Sequence, residues 1–135
     1  MNPGDFQAFF EERARAAEDY VNGGFERLER LLPAQGDASF HSPRGDSVRG
    51  AAEVARRYRA DADSFLPGGT TEIEILHQAV EGDLAFWTGF QVASVRLKGA
   101  ADAVAMRIRV TEVFRRIDGS WKLVHRHADM PADRT

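Results

Sequence analysis

His77 and Glu112 are the two side chains in this sequence best suited to acid–base chemistry, and they lie on separate segments in which apolar and polar residues alternate. An imidazole that titrates near neutral pH, beside a carboxylate in apolar surroundings, could move protons on a bound carbon acid. Arg126 lies on a third such segment and could steady developing negative charge. We therefore predict His77 and Glu112 as catalytic candidates. The alternative is that Arg126 neutralises Glu112 in a purely structural ion pair.

Metal chemistry has weaker support. His125 and His127 are two residues apart, so on a strand they point the same way and could share one metal ion, with Asp129 extending the series. A third ligand with convincing spacing is missing, so we favour a structural or interface role and predict neither a metal site nor a cofactor. His41 is predicted to be a surface residue. The sequence contains no cysteine, which excludes disulfides, thiolate metal sites and thiol nucleophiles.

The composition sets the class of protein. A chain of 135 residues with 43% apolar and 29% charged residues fits one globular domain over residues 1–135. The net charge of −3 offers no broad basic field, so nucleic acid is not an expected partner. No apolar run approaches the roughly 20 residues of a membrane span, and the N-terminus lacks a signal-like apolar block. We predict a cytoplasmic protein without a membrane partner.

The elements that would position these residues follow from hydrophobic periodicity. Helical spacing predicts helices over residues 5–21, with Asp5 as N-cap, over 25–32 and over 51–65, with a short strand at 37–42 between the second and the third. The period then changes to two and predicts four strands, at 70–80, 84–97, 103–116 and 120–129. Short glycine-bearing connections favour an antiparallel meander. The predicted class is α+β, with three helices of the N-terminal half packed on a mainly antiparallel sheet.

One strand indicates which sheet face the helices cover. Along residues 104–114 the even positions are mainly apolar, whereas Arg107, Arg109 and Thr111 occupy odd positions. Burying arginines would cost several kcal/mol each, so the even face should be the inner one. Turn lengths then pair Thr88 with both His77 and Glu112. A three-residue loop at 117–119 is predicted to pair Glu112 with Val124 and to place Arg126 one step diagonal to Glu112. The predicted inner face therefore carries a row of cross-strand neighbours, His77, Thr88, Glu112 and Val124, with Arg126 beside Glu112. Apolar side chains, among them Phe86 and Phe90, form the wall around this row.

The same registers put Trp87 and Trp121 on the outer face. So much exposed apolar area would favour aggregation of a monomer. We therefore predict a homodimer that buries the two tryptophans through the outer sheet face. The alternative is a few scattered exposed hydrophobic residues.

The order of elements, and above all residues 111–129 (TEVFRRIDGSWKLVHRHAD), resembles the SnoaL-like proteins of the nuclear transport factor 2-like, or cystatin-like α+β, superfamily. The stretch is also similar to DUF4440-type proteins and to the association domain of calcium/calmodulin-dependent protein kinase II. The resemblance implies a curved sheet wrapped around a helix, a cone-shaped pocket, and pairing through the outer sheet face.

The resemblance implies no particular reaction, because this fold hosts isomerases, cyclases, dehydratases and binding modules. In our alignment the steroid isomerase's tyrosine and base aspartate fall on Ala16 and Ser42, and its second aspartate on Val113 or Glu112. The cyclase's catalytic aspartate falls near Ala128. The kinase domain's pocket arginines fall on Val92, Glu112 and Ala128. Only Glu112 could stand in for a family acid.

These observations lead to one functional hypothesis and one alternative. We expect a domain that binds a small apolar or carbonyl-bearing organic molecule in the cone, with Tyr20, Tyr58, Phe86 and Phe90 as walls and Thr88 and Arg126 among the polar contacts. Catalysis, if it follows, would be cofactor-free isomerase, cyclase or dehydratase chemistry. The alternative is a non-catalytic homodimerisation or adaptor module.

Overall fold

A computed structural model describes residues 3–131 and contains three helices and six strands. The helices are α1 (Pro3–Tyr20), α2 (Glu26–Leu31) and α3 (Ala51–Ala62). The strands are β1 (Ser39–His41), β2 (Ser47–Arg49), β3 (Phe65–Glu81), β4 (Leu84–Leu97), β5 (Val104–Ile117) and β6 (Ser120–Asp129). Among these helices, none has the length and apolar content that crossing a membrane requires.

The strands form one mixed sheet in the order β2-β1-β6-β5-β4-β3. All neighbours are antiparallel except β1 and β6, which run parallel. The predicted α+β class, with three helices on a mainly antiparallel sheet, is confirmed. The short strand predicted at 37–42 is half of a hairpin, whose second strand, β2, escaped prediction because it is only three residues long.

Helix α1 holds the apolar core on the inner face of the sheet. Phe6, Phe9 and Phe10 lie on its buried side, and the ring of Phe6 packs against Phe114 and Trp121 at centroid distances of 5.5 and 5.2 Å. The helix begins at Pro3, so Asp5 lies in its first turn, where a carboxylate complements the helix dipole, and is not the predicted N-cap.

Strand β3 starts earlier than predicted because Phe65 already pairs with Leu97. Its ladder with β4 is interrupted between Leu66 and Thr70 and again between Ile75 and His77. Beside the second irregularity the backbone of β3 lies so close to Gly89 that an added Cβ would collide with the carbonyl oxygen of Glu74. Bulges of this kind bend a strand and increase its twist, which curves the sheet around the helices.

The prediction that the even positions of β5 face the helices is confirmed, since Val110, Glu112 and Phe114 are buried. The predicted register between β4 and β5 is wrong by one residue: Trp87 pairs with Glu112, and Thr88 with Thr111. A slip of one residue exchanges the two faces of a strand. Trp87 is therefore fully buried, at 0% exposure, and Phe86 is 37% exposed on the outer side.

The connection between β5 and β6 differs from prediction in two ways, which together shift the register by two residues and so leave Arg126 on the predicted face. The turn has two residues, Asp118 and Gly119, both at positive φ, and β6 then bulges at Val124. Beyond the bulge Arg126 faces inward and pairs directly with Glu112, so the predicted Val124–Glu112 pairing is wrong. Before the bulge Trp121 is buried. The predicted dimer surface through Trp87 and Trp121 is therefore wrong, because both indoles belong to the core.

Candidate functional site

A buried carboxylate with four hydrogen-bond donors lies at the centre of the inner face. Arg13 Nε donates to Glu112 Oε1 at 3.0 Å, and its Nη2 donates to Oε2 at 2.7 Å. Arg126 Nη1 also donates to Oε2 at 2.7 Å, and Trp87 Nε1 to Oε1 at 2.8 Å. Arg126 Nη2 donates to Gln91 Oε1 at 2.9 Å. We refer to these five residues, Arg13, Trp87, Gln91, Glu112 and Arg126, as the Glu112 cluster.

Glu112 is held in its ionised form. Burial raises the pKa of this carboxyl group, but the charges of Arg13 and Arg126 and the hydrogen bonds from Arg13 and Trp87 outweigh it and lower the pKa to about 2. Four donors also occupy the acceptor positions that a carboxylate offers. A group so stabilised is a poor general base, because it would have to accept a proton against two neighbouring positive charges.

Sequence reasoning missed Arg13, although the sequence carried a signal for it. The residue lies three positions after Phe10 and four before Ala17, in the middle of the apolar stripe of α1. An arginine at such a position must find a buried counter-charge. Gln91 interrupts the inner row of β4 in the same way, but that row became visible only with the correct register.

A cavity of about 430 Å³ opens from the Glu112 cluster towards the far end of the sheet. Arg13, Gln91 and Arg126 line it on one side. Aliphatic side chains contribute further wall: Val21, which directly follows α1, and Val95, Met106 and Ile108 of strands β4 and β5. The lining therefore combines this apolar wall with a polar part where it meets the cluster.

Tyr20 and Tyr58 lie in the wall of this cavity. Their rings meet edge to face at a centroid distance of 6.2 Å, and Phe40 stacks on Tyr58 at 4.8 Å. Burial raises the pKa of both phenols well above the usual value, with Asp61 adding to the effect on Tyr20. Both hydroxyls therefore stay protonated and can donate hydrogen bonds to a bound molecule.

Charged side chains surround another part of the cavity lining. Arg44, Arg57, Lys98 and Asp61 line it there. Arg57 Nε lies 3.0 Å from Asp61 Oδ2, and Arg44 Nη2 lies 3.8 Å from Asp61 Oδ1. The acidic side chain is thus engaged by two arginines.

The structure does not bring His77 to Glu112. His77 pairs with Thr88, as predicted, but both point to the outer face, where His77 is exposed and Thr88 Oγ1 lies 2.7 Å from Thr111 Oγ1. The predicted row of His77, Thr88 and Glu112 is wrong because of the slip between β4 and β5. The same slip places Phe86 and Phe90 on the outer face, so the prediction that they are walls of the cavity is wrong. The guanidinium of Arg107 lies over the Phe90 ring, 3.9 Å from its centroid.

Three histidines form a cluster on the outer face at the β1–β6 boundary. The His41 ring meets the rings of His125 and His127 edge to face, at centroid distances of 5.0 and 5.1 Å. Burial, with the neighbouring His41 and His127, lowers the pKa of His125. Within residues 3–131, no three His, Cys, Asp or Glu side chains are arranged to hold a metal ion.

Comparisons with known proteins agree on the fold. The family model described as the SnoaL-like domain matches residues 8–133. No curated protein sequence matches the chain significantly.

Solved structures match over nearly the whole chain. A proposed dehydratase of the NTF2-like family from Streptomyces avermitilis aligns at a TM-score of 0.79 with 23% identity, covering 96% of each chain. An NTF2-like protein of unknown function in nutrient uptake from Rhodospirillum rubrum aligns at 0.66 with 27% identity, covering 92% of this chain and 97% of the other. The association domain of CaMKII from C. elegans aligns at 0.69 with 17% identity, covering 96% and 100%.

Proposed function

This chain belongs to the SnoaL-like domain family, and we propose that it binds a small, largely apolar organic molecule in the cavity beside the Glu112 cluster. The single observation that carries the proposal is the cavity itself, about 430 Å³ between the helices and the sheet. This volume lies within the range of about 300–1,000 Å³ that small-molecule sites occupy. In the alternative of a vestigial pocket, aromatic side chains would fill this space.

The lining suggests how such a molecule would be recognised. Aliphatic residues and the rings of Tyr20, Tyr58 and Phe40 offer apolar contact, while Arg13, Arg126 and Gln91 offer polar contact at one end. Few polar groups on a mainly apolar wall are the usual means of fixing a ligand's orientation. The proposed ligand is therefore an apolar body with one oxygen-bearing end, such as a carbonyl compound.

Catalysis has less support than binding. His77 lies outside the cavity, and Glu112 is ionised with its acceptor positions occupied. We propose that Glu112 is a positioning residue that orients Arg13 and Arg126. The cavity then offers proton-holding phenols and positive charge that could polarise a carbonyl. The proposed dehydratase from Streptomyces avermitilis keeps a reaction of that class open for this chain.

A matched pair of substitutions tests the binding site. Ala93 lines the cavity, whereas Ala105, almost opposite on the neighbouring strand, is exposed on the outer face. We expect Ala93→Phe to fill the cavity and to weaken binding of the neutral fluorescent probe N-phenyl-1-naphthylamine at least about tenfold. Ala105→Phe should leave the dissociation constant unchanged. The measurement is a fluorescence titration of both variants after circular dichroism has shown that each is folded.

If the unsubstituted protein bound neither this neutral probe nor its anionic sulfonate analogue, 1-anilinonaphthalene-8-sulfonate, the proposed site would be rejected. Equal binding by the two variants would reject its location, since the probe would then lie elsewhere.

Self-association through the outer face is a second candidate function. Phe86 and Leu76 are 37% and 61% exposed there, with Phe90 nearby, and these side chains replace the tryptophans in the predicted dimer surface. Such a patch is typical of interfaces. The related association domain of CaMKII supports the idea.

Sizing chromatography with light scattering tests this second candidate. If the protein elutes as a dimer, Phe90→Glu on the outer face should convert it to a monomer, because it places a charge in the apolar patch. Ala52→Glu, on the exposed side of α3, should not change the elution volume. A monomeric unsubstituted protein, or a dimer that tolerates Phe90→Glu, would contradict the candidate.

A further inference from the structure

The Glu112 cluster has an unbalanced charge. It contains two guanidinium groups and one carboxylate, all buried, so one positive charge remains after Glu112 is paired. Burying an unpaired charge is costly, and proteins normally supply a counter-charge. Among the residues that the structure describes, Glu112 is the carboxylate that bonds to Arg13 and Arg126.

The other carboxylate in the cavity lining does not restore the balance. Asp61 lies close to Arg57 at 3.0 Å and to Arg44 at 3.8 Å. Lys98 adds a further positive charge to the lining. Arg57 also bonds to Asp46 at 2.6 Å, so the five basic side chains of the lining face three carboxylates, those of Asp61, Asp46 and Glu112. An excess of positive charge therefore lies around this cavity in a chain whose net charge is −3. Such a concentration of one sign attracts a ligand of the opposite sign.

Both guanidinium groups have N–H donors left for a ligand. Each carries five N–H bonds. The hydrogen bonds to Glu112 and Gln91 use Nε and Nη2 of Arg13 and the two Nη atoms of Arg126, with one bond from each atom. Both side chains also line the cavity. An anionic group entering from the cavity would meet these remaining donors.

We propose that the natural ligand is an organic anion, an apolar molecule with one carboxylate-type group that binds Arg13 and Arg126. This inference rests on the proposed function and makes it more specific. Glu112 fixes the two guanidinium groups, and the ligand supplies the second negative charge of the site. Tyr20 and Tyr58 line the same cavity, and their protonated hydroxyls can donate to the anionic oxygens.

A pair of probes that share the same aromatic body and differ by one sulfonate group tests the inference. 1-Anilinonaphthalene-8-sulfonate is N-phenyl-1-naphthylamine with an added sulfonate group. We expect the anionic probe to bind the unsubstituted protein at least about tenfold more tightly, because charge-assisted hydrogen bonds contribute that much or more. Arg126→Gln, which brings the cluster to neutrality, should reduce the preference to within about threefold. Arg109→Gln, in an exposed ion pair on the outer face, should leave it intact.

A competition experiment gives the same information without any substitution. In the unsubstituted protein, decanoate should displace N-phenyl-1-naphthylamine at a concentration at least about tenfold lower than decan-1-ol does. This result would carry the inference even if Arg126→Gln failed to fold.

The outcomes separate the two levels of the proposal. Equal affinity for the neutral and the anionic probe would overturn the anionic ligand and leave the binding site standing. Binding of neither probe would overturn both. A full preference for the anionic probe in folded Arg126→Gln would also overturn the inference, because the charge would then be recognised elsewhere.

Discussion

Strands β5 and β6 carry two cross-strand pairs of a carboxylate and an arginine, one on each face of the sheet. Glu112 pairs with Arg126 on the inner face, and Arg109 pairs with Asp129 on the outer face. The shortest N–O distance is 2.7 Å in both. The inner carboxylate is fully buried, whereas the side chains of the outer pair are 58% and 37% exposed. The two pairs share strands, chemistry and distance and differ in burial.

This difference shows that distance alone does not set the energetic role of an ion pair. Water can solvate Arg109 and Asp129 if they separate, so the outer pair contributes little. Water cannot do so for the Glu112 cluster, where losing one partner leaves a buried charge uncompensated. The inner pair is therefore the one that the fold depends on.

Removing the negative charge of Glu112 should have the largest effect on stability. Glu112→Gln leaves Arg13 and Arg126 without a counter-charge, and we expect the free energy of unfolding to fall by about 3–5 kcal/mol. Asp129→Asn, the matched change in the outer pair, should cost less than about 1 kcal/mol. Urea denaturation of both variants measures the two values. Similar losses would contradict the distinction between the faces.

Lowering the pH should destabilise the protein mainly through Glu112 and little through Asp129. The expected loss of unfolding free energy is somewhat smaller than the loss caused by Glu112→Gln. The folded pKa of Glu112 is about 2, below its ordinary value of 4.5, so ionised Glu112 stabilises the protein fully above about pH 4.5. This contribution, on the order of 3 kcal/mol, is lost as the pH falls from about 4.5 towards 2. Urea denaturation across this range should show a steep loss of stability. Glu112→Gln should flatten the profile and Asp129→Asn should change it little; matching profiles would contradict this assignment.

Adjacent residues on opposite faces of β4 allow a finer comparison. Trp87→Phe keeps an aromatic ring but removes the hydrogen bond to Glu112 Oε1, so we expect a loss of about 2 kcal/mol. Thr88→Val removes the contact with Thr111 on the outer face, and we expect about 0.5 kcal/mol. Thermal denaturation checks both. If Thr88→Val proves the more damaging change, the burial argument does not hold on β4.

The α+β class and the orientation of β5 were predictable because they depend on periodicity, a property of each segment. Arg107, Arg109 and Arg115 occupy odd positions of β5 and could not be buried, which places Glu112 inside without any knowledge of its neighbours. Arg126 was also placed inside, although its predicted register was two residues off.

The rest depends on how strands align, which short connections encode weakly. A one-residue difference between β4 and β5 moved Thr88, Phe86 and Phe90 outward and Trp87 inward. The turn between β5 and β6 is one residue shorter than the predicted loop, which turns Trp121 to the inner face, and the bulge at Val124 carries no periodic signal in the sequence. Arg13 could have been found as a charged residue within an apolar stripe.

The most direct test of the account is a crystal structure of the protein with bound 1-anilinonaphthalene-8-sulfonate. We predict density for the ring system in the cavity, with the sulfonate oxygens within about 3 Å of guanidinium nitrogens of Arg13 and Arg126. Density for the probe only on the outer face, with the cavity empty, would contradict it.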